Sequence, residues 1–345
     1  PIVRWLSTRL PASQEVTLNY QKPDPQGRQM GRYINQADRG DVVDVCEERS
    51  VTMRSARAVE PHPRLETHGF ECRVWPTKVS DFKDDDEVRS RYYGEMTGVV
   101  RAMSGASLVY VFDTTIRDTA MTNLNAEKGG AAAPVPRVHC DYTAEGAPRR
   151  LRQLLESDGV YDGQGRRVRL SESEISALLE SNFAFVNVWR SISNEPVKRS
   201  PLAVLDERSV KPDEVFKYEL RFPDRTGENY SLKHSPDHEW YYYPEMTPDE
   251  CLVFKCYDRK EDGPRFVFHT AFDDPLTTED APPRRSIEAR TIAFFPRLEG
   301  TPNRLEFFDM QHSNNAARIR LWLNINTDRA ERLRGSVPVA RRVVT

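Results

Sequence analysis

The 345-residue sequence lacks the features that mark several large classes of protein. Its longest apolar run, 183–189, is much shorter than the ~20 residues that a membrane helix needs, so we predict no membrane-spanning segment. The five cysteines are odd in number and follow no regular spacing. This usage predicts reduced thiols and a cytoplasmic location, not a disulfide framework. Fifty Lys and Arg against 53 Asp and Glu give a net charge of −3, which argues against nucleic-acid binding through a basic surface.

The commonest catalytic signatures are also missing. The chain contains neither the Gly-x-Ser-x-Gly of a nucleophile elbow nor the glycine-rich phosphate loop of nucleotide-binding proteins. Gly163 and Gly165 resemble the start of a dinucleotide fingerprint, but the third glycine is absent. We therefore expect a turn there.

Strand patterns dominate the sequence. Helices are predicted at 84–103, at 148–156 and after Ser171, where Ser-x-x-Glu forms a capping box. Strands are predicted at 107–113, 137–142, 183–190, 215–221, 239–243, 252–257, 265–272 and 286–295. Because helices and strands do not alternate, we predict a mainly β protein, a sandwich or jelly roll with flanking helices. We expect one domain over 1–300, followed by a C-terminal extension, 301–345. Irregular and helical segments are expected to support the domain near its N-terminus, and 1–60 is predicted to be irregular.

A His-x-Asp pair is the most informative local motif. Side chains alternate along a strand, so His139 and Asp141 are expected on one face. An imidazole and a carboxylate side by side supply two metal ligands, and a histidine from another strand would complete a 2-His-1-carboxylate triad for Fe(II). The pair alone has little weight, since a buried His–Asp hydrogen bond would give the same pattern.

The second half of the chain strengthens this interpretation. His269 lies in another predicted strand, and Arg284 follows 15 residues later. On the next strand Arg284, Ser286 and Arg290 are expected to share one face. An arginine with a neighbouring hydroxyl suits the distal carboxylate of 2-oxoglutarate. Either Arg284 or Arg290 could hold that carboxylate, and an internal ion pair around Glu288 is the alternative.

Four further residues are candidates for contact with the substrate. Asn187 and Arg190 are polar residues in an apolar strand, where they contact either a ligand or an internal hydrogen-bond partner. Tyr142, like Thr143, flanks the proposed ligands. Trp240 is a candidate for the pocket, although core packing would explain it equally well.

Beyond these motifs, the chain resembles the AsaB/CmcJ-type family of non-heme iron hydroxylases and desaturases. The resemblance extends through most of 15–296. It rests on the segments VTLNY (16–20), HGF (68–70), HCDYT (139–143), NVWR (187–190), PLAVLD (201–206), WYYYPEM (240–246), FHTAFDDP (268–275) and RSIEAR (285–290).

This resemblance implies a double-stranded β-helix, a cupin-like jelly roll. It also implies Fe(II) on His139, Asp141 and His269, with 2-oxoglutarate and O₂ as cosubstrates. The expected reaction is hydroxylation, desaturation or oxidative ring formation at an unactivated C–H bond of a natural-product intermediate. The expected partner is a small molecule, and a homodimer is possible. The alternatives are a jelly-roll binding protein without turnover and an iron oxygenase that does not use 2-oxoglutarate.

Overall fold

The computed structural model describes residues 11–121 and 131–295. The C-terminal extension predicted at 301–345 lies outside these residues. Within them no helix is long and apolar enough to cross a membrane. The described part of the chain folds into two packed β-sheets with a few flanking helices.

Most of the secondary structure is strand. The strands are β1 Ser13–Gln21, β2 Gly31–Tyr33, β3 Cys46–Ser55, β4 Phe70–Val74, β5 Leu108–Asp118, β6 Ala131–Ala132, β7 His139–Cys140, β8 Asn182–Ser191, β9 Leu202–Leu205, β10 Val215–Arg221, β11 Thr226–Leu232, β12 Trp240–Tyr242, β13 Glu250–Asp258, β14 His269–Ala271 and β15 Arg285–Phe295. A nine-stranded sheet has the order β1-β3-β12-β9-β14-β7-β11-β10-β2, and a six-stranded sheet has the order β4-β13-β8-β15-β5-β6. The mainly β prediction is confirmed.

The helices are few and lie where the sequence predicts them. They are α1 Asp85–Glu87, continued by a π-helical stretch Val88–Tyr92 into α2 Tyr93–Ser104, then α3 Gly146–Glu156 and α4 Glu172–Glu180; short 3-10 turns occur at Ala56–Ala58, Glu207–Ser209 and Pro212–Glu214. Helix α4 begins with the predicted capping box between Ser171 and Glu174. Helix α2 ends at Gly105, whose φ of 70° suits a glycine after a helix.

The prediction of an irregular 1–60 segment is wrong for its described part. Strands β1 and β3 pair antiparallel over their whole length. Val16, Leu18 and Tyr20 are buried, while the residues between them are partly or fully exposed. A strand with one solvated face has a polar composition, and this masks its alternation.

The six-stranded sheet separates two apolar cores. Phe183, Phe185 and Trp189 of β8 face the nine-stranded sheet and the larger core. The alternate residues, among them Val186 and Val188, pack toward α2 in a second core. This alternation decides which side chains of β8 and β15 can reach the space between the sheets.

Candidate active site

Two histidines meet across neighbouring strands of the nine-stranded sheet. His139 of β7 is the direct antiparallel partner of His269 of β14, and their ring centroids lie 4.4 Å apart. Asp141 follows β7 immediately. Its Oδ1 lies 3.6 Å from His139 Nε2 and 3.9 Å from His269 Nε2. One potential ligand atom from each residue lies within 4.8 Å of the others, so the arrangement can enclose a single metal ion.

Hydrogen bonds orient both imidazoles with Nε2 toward this shared space. His139 Nδ1 lies 2.8 Å from the Arg137 carbonyl, and His269 Nδ1 lies 3.1 Å from the Val267 carbonyl. Because a carbonyl only accepts hydrogen bonds, Nδ1 carries the proton in each neutral ring, and Nε2 keeps its lone pair. Burial, and then the neighbouring His269, lowers the pKa of His139 well below its usual range. Neutral imidazole is the form that binds a metal.

The second oxygen of Asp141 has its own partners. Asn187 Nδ2 donates to Oδ2 at 2.9 Å, and Arg290 Nε lies 3.3 Å from the same atom. Burial by itself would raise the pKa of Asp141, but the charge of Arg290 and the other nearby donors outweigh it and hold the pKa well below its usual range. The carboxylate is therefore ionised and fixed through Oδ2, which leaves Oδ1 directed at the histidines.

Arg284 lines a small cavity that adjoins the triad. This cavity has a volume of about 40 Å³ and is lined by His139, His269, Trp189 and Arg284 among others. The Arg284 guanidinium is 5.5 Å from the Trp189 ring, and its Nη1 donates to the Ser200 carbonyl at 2.5 Å.

Buried polar groups of Arg284 and Ser286 lack full partners. Burial, and then the charge of Arg117, lowers the pKa of Arg284 to about 9. Among the described residues, Nε of Arg284 and the buried hydroxyl of Ser286 have no hydrogen-bond partner. A buried cation and a buried hydroxyl left in this state fit a carboxylate ligand, which would supply the missing charge and acceptors.

Arg290 differs from Arg284 in its partners. Its guanidinium pairs with Asp113 at 2.7 Å, with Glu288 at 3.0 Å and with Asp141. Burial would lower the pKa of Arg290, but these carboxylates raise it well above its usual value. A guanidinium already paired with three carboxylates has little capacity for a further anion, whereas Arg284 forms no ion pair within the described residues.

A second, larger pocket also adjoins the triad. It has a volume of about 780 Å³, and His139, Asp141 and Arg290 form part of its wall. Tyr142 also lines it and stacks on Phe185 with ring centroids 4.3 Å apart. The triad therefore borders both a small cavity lined by Arg284 and a pocket large enough for a typical small-molecule ligand.

Two candidate substrate residues lie elsewhere. Arg190 is on the opposite face of β8 from Asn187, fully buried, where it donates to the Trp75 carbonyl near the Tyr92 ring. The structure does not bring it to the triad, because residues three apart on a strand point to opposite faces. Trp240 is a core residue of β12, and its Nε1 donates to Tyr20 Oη at 2.6 Å.

Sequence reasoning missed some residues that the structure places at the site. Trp189 shares a face with Asn187, which the strand period could have indicated. Cys256 lies with Sγ 3.8 Å from Asp141 Oδ2. Phe254 packs its ring 4.8 Å from that of His269. The last two contacts come from the packing of the two sheets against each other, for which the sequence offers no local signal.

Comparisons with known proteins agree with this geometry. The family model described as "Oxidoreductase/YMDC permease-like domain" matches residues 18–294. The hydroxylase/desaturase efuI of Hormonema carpetanum is 30% identical over 270 residues, which cover 72% of this chain and 84% of the relative. The Fe(II)/2-oxoglutarate-dependent dioxygenase nvfI of Aspergillus novofumigatus is 32% identical over 252 residues, covering 71% of this chain and 82% of the relative.

Comparison with solved structures points to the same family. The structure of the iron and alpha-ketoglutarate-dependent endoperoxidase NvfI matches with a TM-score of 0.69 and 26% identity, over 83% of this chain and 99% of that one. These findings confirm the resemblance stated from the sequence and the jelly-roll fold. The chain belongs to the hydroxylase/desaturase family of Fe(II)/2-oxoglutarate-dependent oxygenases.

Proposed function

We propose that this protein oxidises a C–H bond of a small natural-product intermediate, with Fe(II) on His139, Asp141 and His269 and with 2-oxoglutarate held by Arg284. The observation that carries the proposal is that the three ligand atoms lie within 4.8 Å of one another and that the residues bearing them line both a cavity that Arg284 also lines and a pocket of about 780 Å³. Bound Fe(II) would activate O₂ while 2-oxoglutarate is decarboxylated to succinate and CO₂, and this supplies the oxidant for the substrate.

The protein's first contribution is a preformed set of ligands. Both histidines present Nε2, and Asp141 presents Oδ1 because Asn187 and Arg290 hold Oδ2. Three protein ligands on one side leave the opposite side for the cosubstrate and O₂. Asn187 and Arg290 act here as positioning residues, since each reaches the metal site only through Asp141.

The second contribution is a charged and partly apolar place for the cosubstrate. Arg284 supplies the guanidinium, and Ser286 supplies a hydroxyl on the same face of β15. The Trp189 ring and the apolar side chain of Leu202 line the same cavity. A carboxylate–arginine pair is stronger in such a place than in water.

The third contribution is the larger pocket, which would place a substrate beside the triad. Tyr142 is the residue of its wall nearest in sequence to Asp141, and its contact with Phe185 fixes the ring. Hydroxylation, desaturation and ring formation differ in how a substrate lies against the metal. A homodimer and a cytoplasmic location stay predictions from the sequence.

The experiment adds Fe(II) and then 2-oxoglutarate to the metal-free protein without oxygen and records the visible spectrum. We expect a weak charge-transfer band when the cosubstrate chelates the iron. Asp141→Ala should abolish the band, while Glu156→Gln, at the exposed rim of the pocket, should keep it. Circular dichroism of both variants checks that they fold. An Asp141→Ala protein that gives the band of the parent would refute the assignment of Asp141.

A further inference from the structure

The large pocket beside the triad is rich in arginine. Among the described residues, eight arginines and four carboxylates line it, and no lysine does. The arginines thus outnumber the carboxylates by four. Holding these cations in the wall of a pocket has a desolvation cost. Binding of an uncharged apolar molecule would not offset that cost.

Ion pairs account for part of this excess. Arg149 pairs with Glu228 at 2.6 Å, and Arg152 pairs with Glu156 at 3.2 Å. Both arginines are exposed. Arg290 is occupied by its three carboxylates. These cations are balanced within the protein and do not call for a ligand.

Arg150 and Arg225 are different. Both are half-buried, and neither forms an ion pair with a carboxylate within residues 11–121 and 131–295. Arg150 Nη1 donates only to the Gln153 amide oxygen, at 2.8 Å, and Arg225 lies 4.1 Å from the Phe222 ring centroid. Burial, reinforced by the charge of Arg225, lowers the pKa of Arg150, although Tyr142 and Asp113 act in the opposite direction. The two guanidiniums line the same pocket and repel each other.

Apolar rings line the same pocket close to these arginines. Tyr142 precedes helix α3, which carries Arg150, and Phe222 precedes Arg225 in the turn between β10 and β11. Phe112 also lines the pocket and packs edge-on against Phe185, on which Tyr142 stacks. The pocket thus combines two arginines that lack a carboxylate partner with an aromatic wall that extends to the metal ligands.

We propose that the substrate is an organic acid, with its carboxylate between Arg150 and Arg225 and its apolar body along Phe222, Phe112 and Tyr142 toward the triad. This inference rests on the proposed function, and it adds the substrate class. The guanidinium forks match a carboxylate, and fixing the molecule at its acidic end would hold a distant C–H bond beside the metal site.

The test uses 1-pyrenebutyrate and its uncharged counterpart 1-pyrenebutanol as probes. Binding to the protein loaded with Fe(II) and 2-oxoglutarate is measured by fluorescence anisotropy without oxygen. We expect the acid to bind at least about tenfold more tightly than the alcohol, and the preference to shrink as salt is added. Equal affinities for the two probes would overturn the proposal.

Variants locate the acidic group. Arg150→Gln and Arg225→Gln should each weaken binding of the acid about tenfold and change that of the alcohol less than about twofold. Arg152→Gln, on the same helix but exposed and paired with Glu156, is the matched control and should change neither. An acid preference that survives both substitutions would overturn the assignment.

One further readout separates this inference from the proposed function. The affinity for 2-oxoglutarate, measured from the visible band in the same samples, should not change in Arg150→Gln or Arg225→Gln. If it falls in both variants while the acid preference stays, the two arginines serve cosubstrate entry and the substrate inference is wrong. A normal band without any acid preference would refute the inference and leave the proposed function intact, whereas a missing band in the parent would refute the proposed function itself.

Discussion

Replacing Asn187 with leucine tests how Asp141 is held at the metal site. The side chain is fully buried, and its Nδ2 donates to Asp141 Oδ2 at 2.9 Å. Leucine has the same branched arrangement of heavy atoms but no donor, so the substitution removes one hydrogen bond to a charged acceptor. Such a bond contributes about 1.5–3 kcal/mol. Because Arg290 still contacts Oδ2 at 3.3 Å, we take the lower end of this energy range, about 1.5 kcal/mol. Subtracted from the free energy of metal binding, this corresponds to roughly a tenfold loss of metal affinity.

The assay is anaerobic titration of the metal-free protein with Fe(II) in competition with a coloured chelator. Thr291→Val is the matched control: Thr291 is equally buried, and its hydroxyl donates to the Val186 carbonyl at 2.6 Å, but from the opposite face of the same sheet. We expect Asn187→Leu to bind Fe(II) roughly tenfold more weakly and Thr291→Val to bind it like the parent. Equal losses in the two variants would mean that the effect is general weakening of the sheet, and an unchanged affinity in Asn187→Leu would refute the positioning argument.

Two further predictions concern the cosubstrate and the stability of the fold. Arg284→Lys should raise about tenfold the 2-oxoglutarate concentration that gives half of the maximal visible band. The reason is that an ammonium group cannot bond both the Ser200 carbonyl and a carboxylate in fork geometry. Arg285→Lys, on the alternate face, is the control and should leave that concentration unchanged. Burial lowers the pKa of His238 below its usual 6.5, although Glu214 lies 3.1 Å from its ring. The unfolded chain therefore binds this proton more readily than the folded protein, and the free energy of unfolding should fall as pH drops from 7 to 5, by at most about 2 kcal/mol from this group. Urea unfolding at the two pH values checks this, and a His238→Gln protein with the same loss as the parent would contradict it.

The strands with clear apolar patterns were predictable from the sequence. The sequence predicts a strand at 215–221, and β10 has these same bounds; the strand predicted at 183–190 is one residue shorter at each end than β8. In β1 and β3 the outward residues are polar, so the segment as a whole is polar and the alternation of its buried positions is weak in the sequence. Strand β7 has only two residues, His139 and Cys140, although the sequence favours six. Its length is set by pairing with β14 and β11, which lie far away in the chain.

The candidate site was predictable where a local rule applied. Alternation along one strand predicts that His139 and Asp141 are neighbours, but no local rule predicts that His139 faces His269, 130 residues away. The same alternation would have excluded Arg190 as a partner of Asn187, because their separation is odd. The choice between Arg284 and Arg290 depends on which arginine already has carboxylate partners, and only the packed structure contains that information.

The site divides between rigid and variable parts of the fold. The metal ligands and the residues that hold them lie on or beside strands in the middle of the two sheets, where β15 is paired on both sides along its length. The arginines assigned to the substrate lie on helix α3 and in the turn after β10, outside the sheets. A side chain on a central strand is fixed by its neighbours, whereas a helix or turn at the edge of a pocket can change without moving them. We therefore expect relatives of this family to share the triad and the cosubstrate arginine and to differ at α3 and at this turn. On this argument, exchanging 146–156 and 222–225 between two members should transfer preference for a substrate without altering the visible band that 2-oxoglutarate produces.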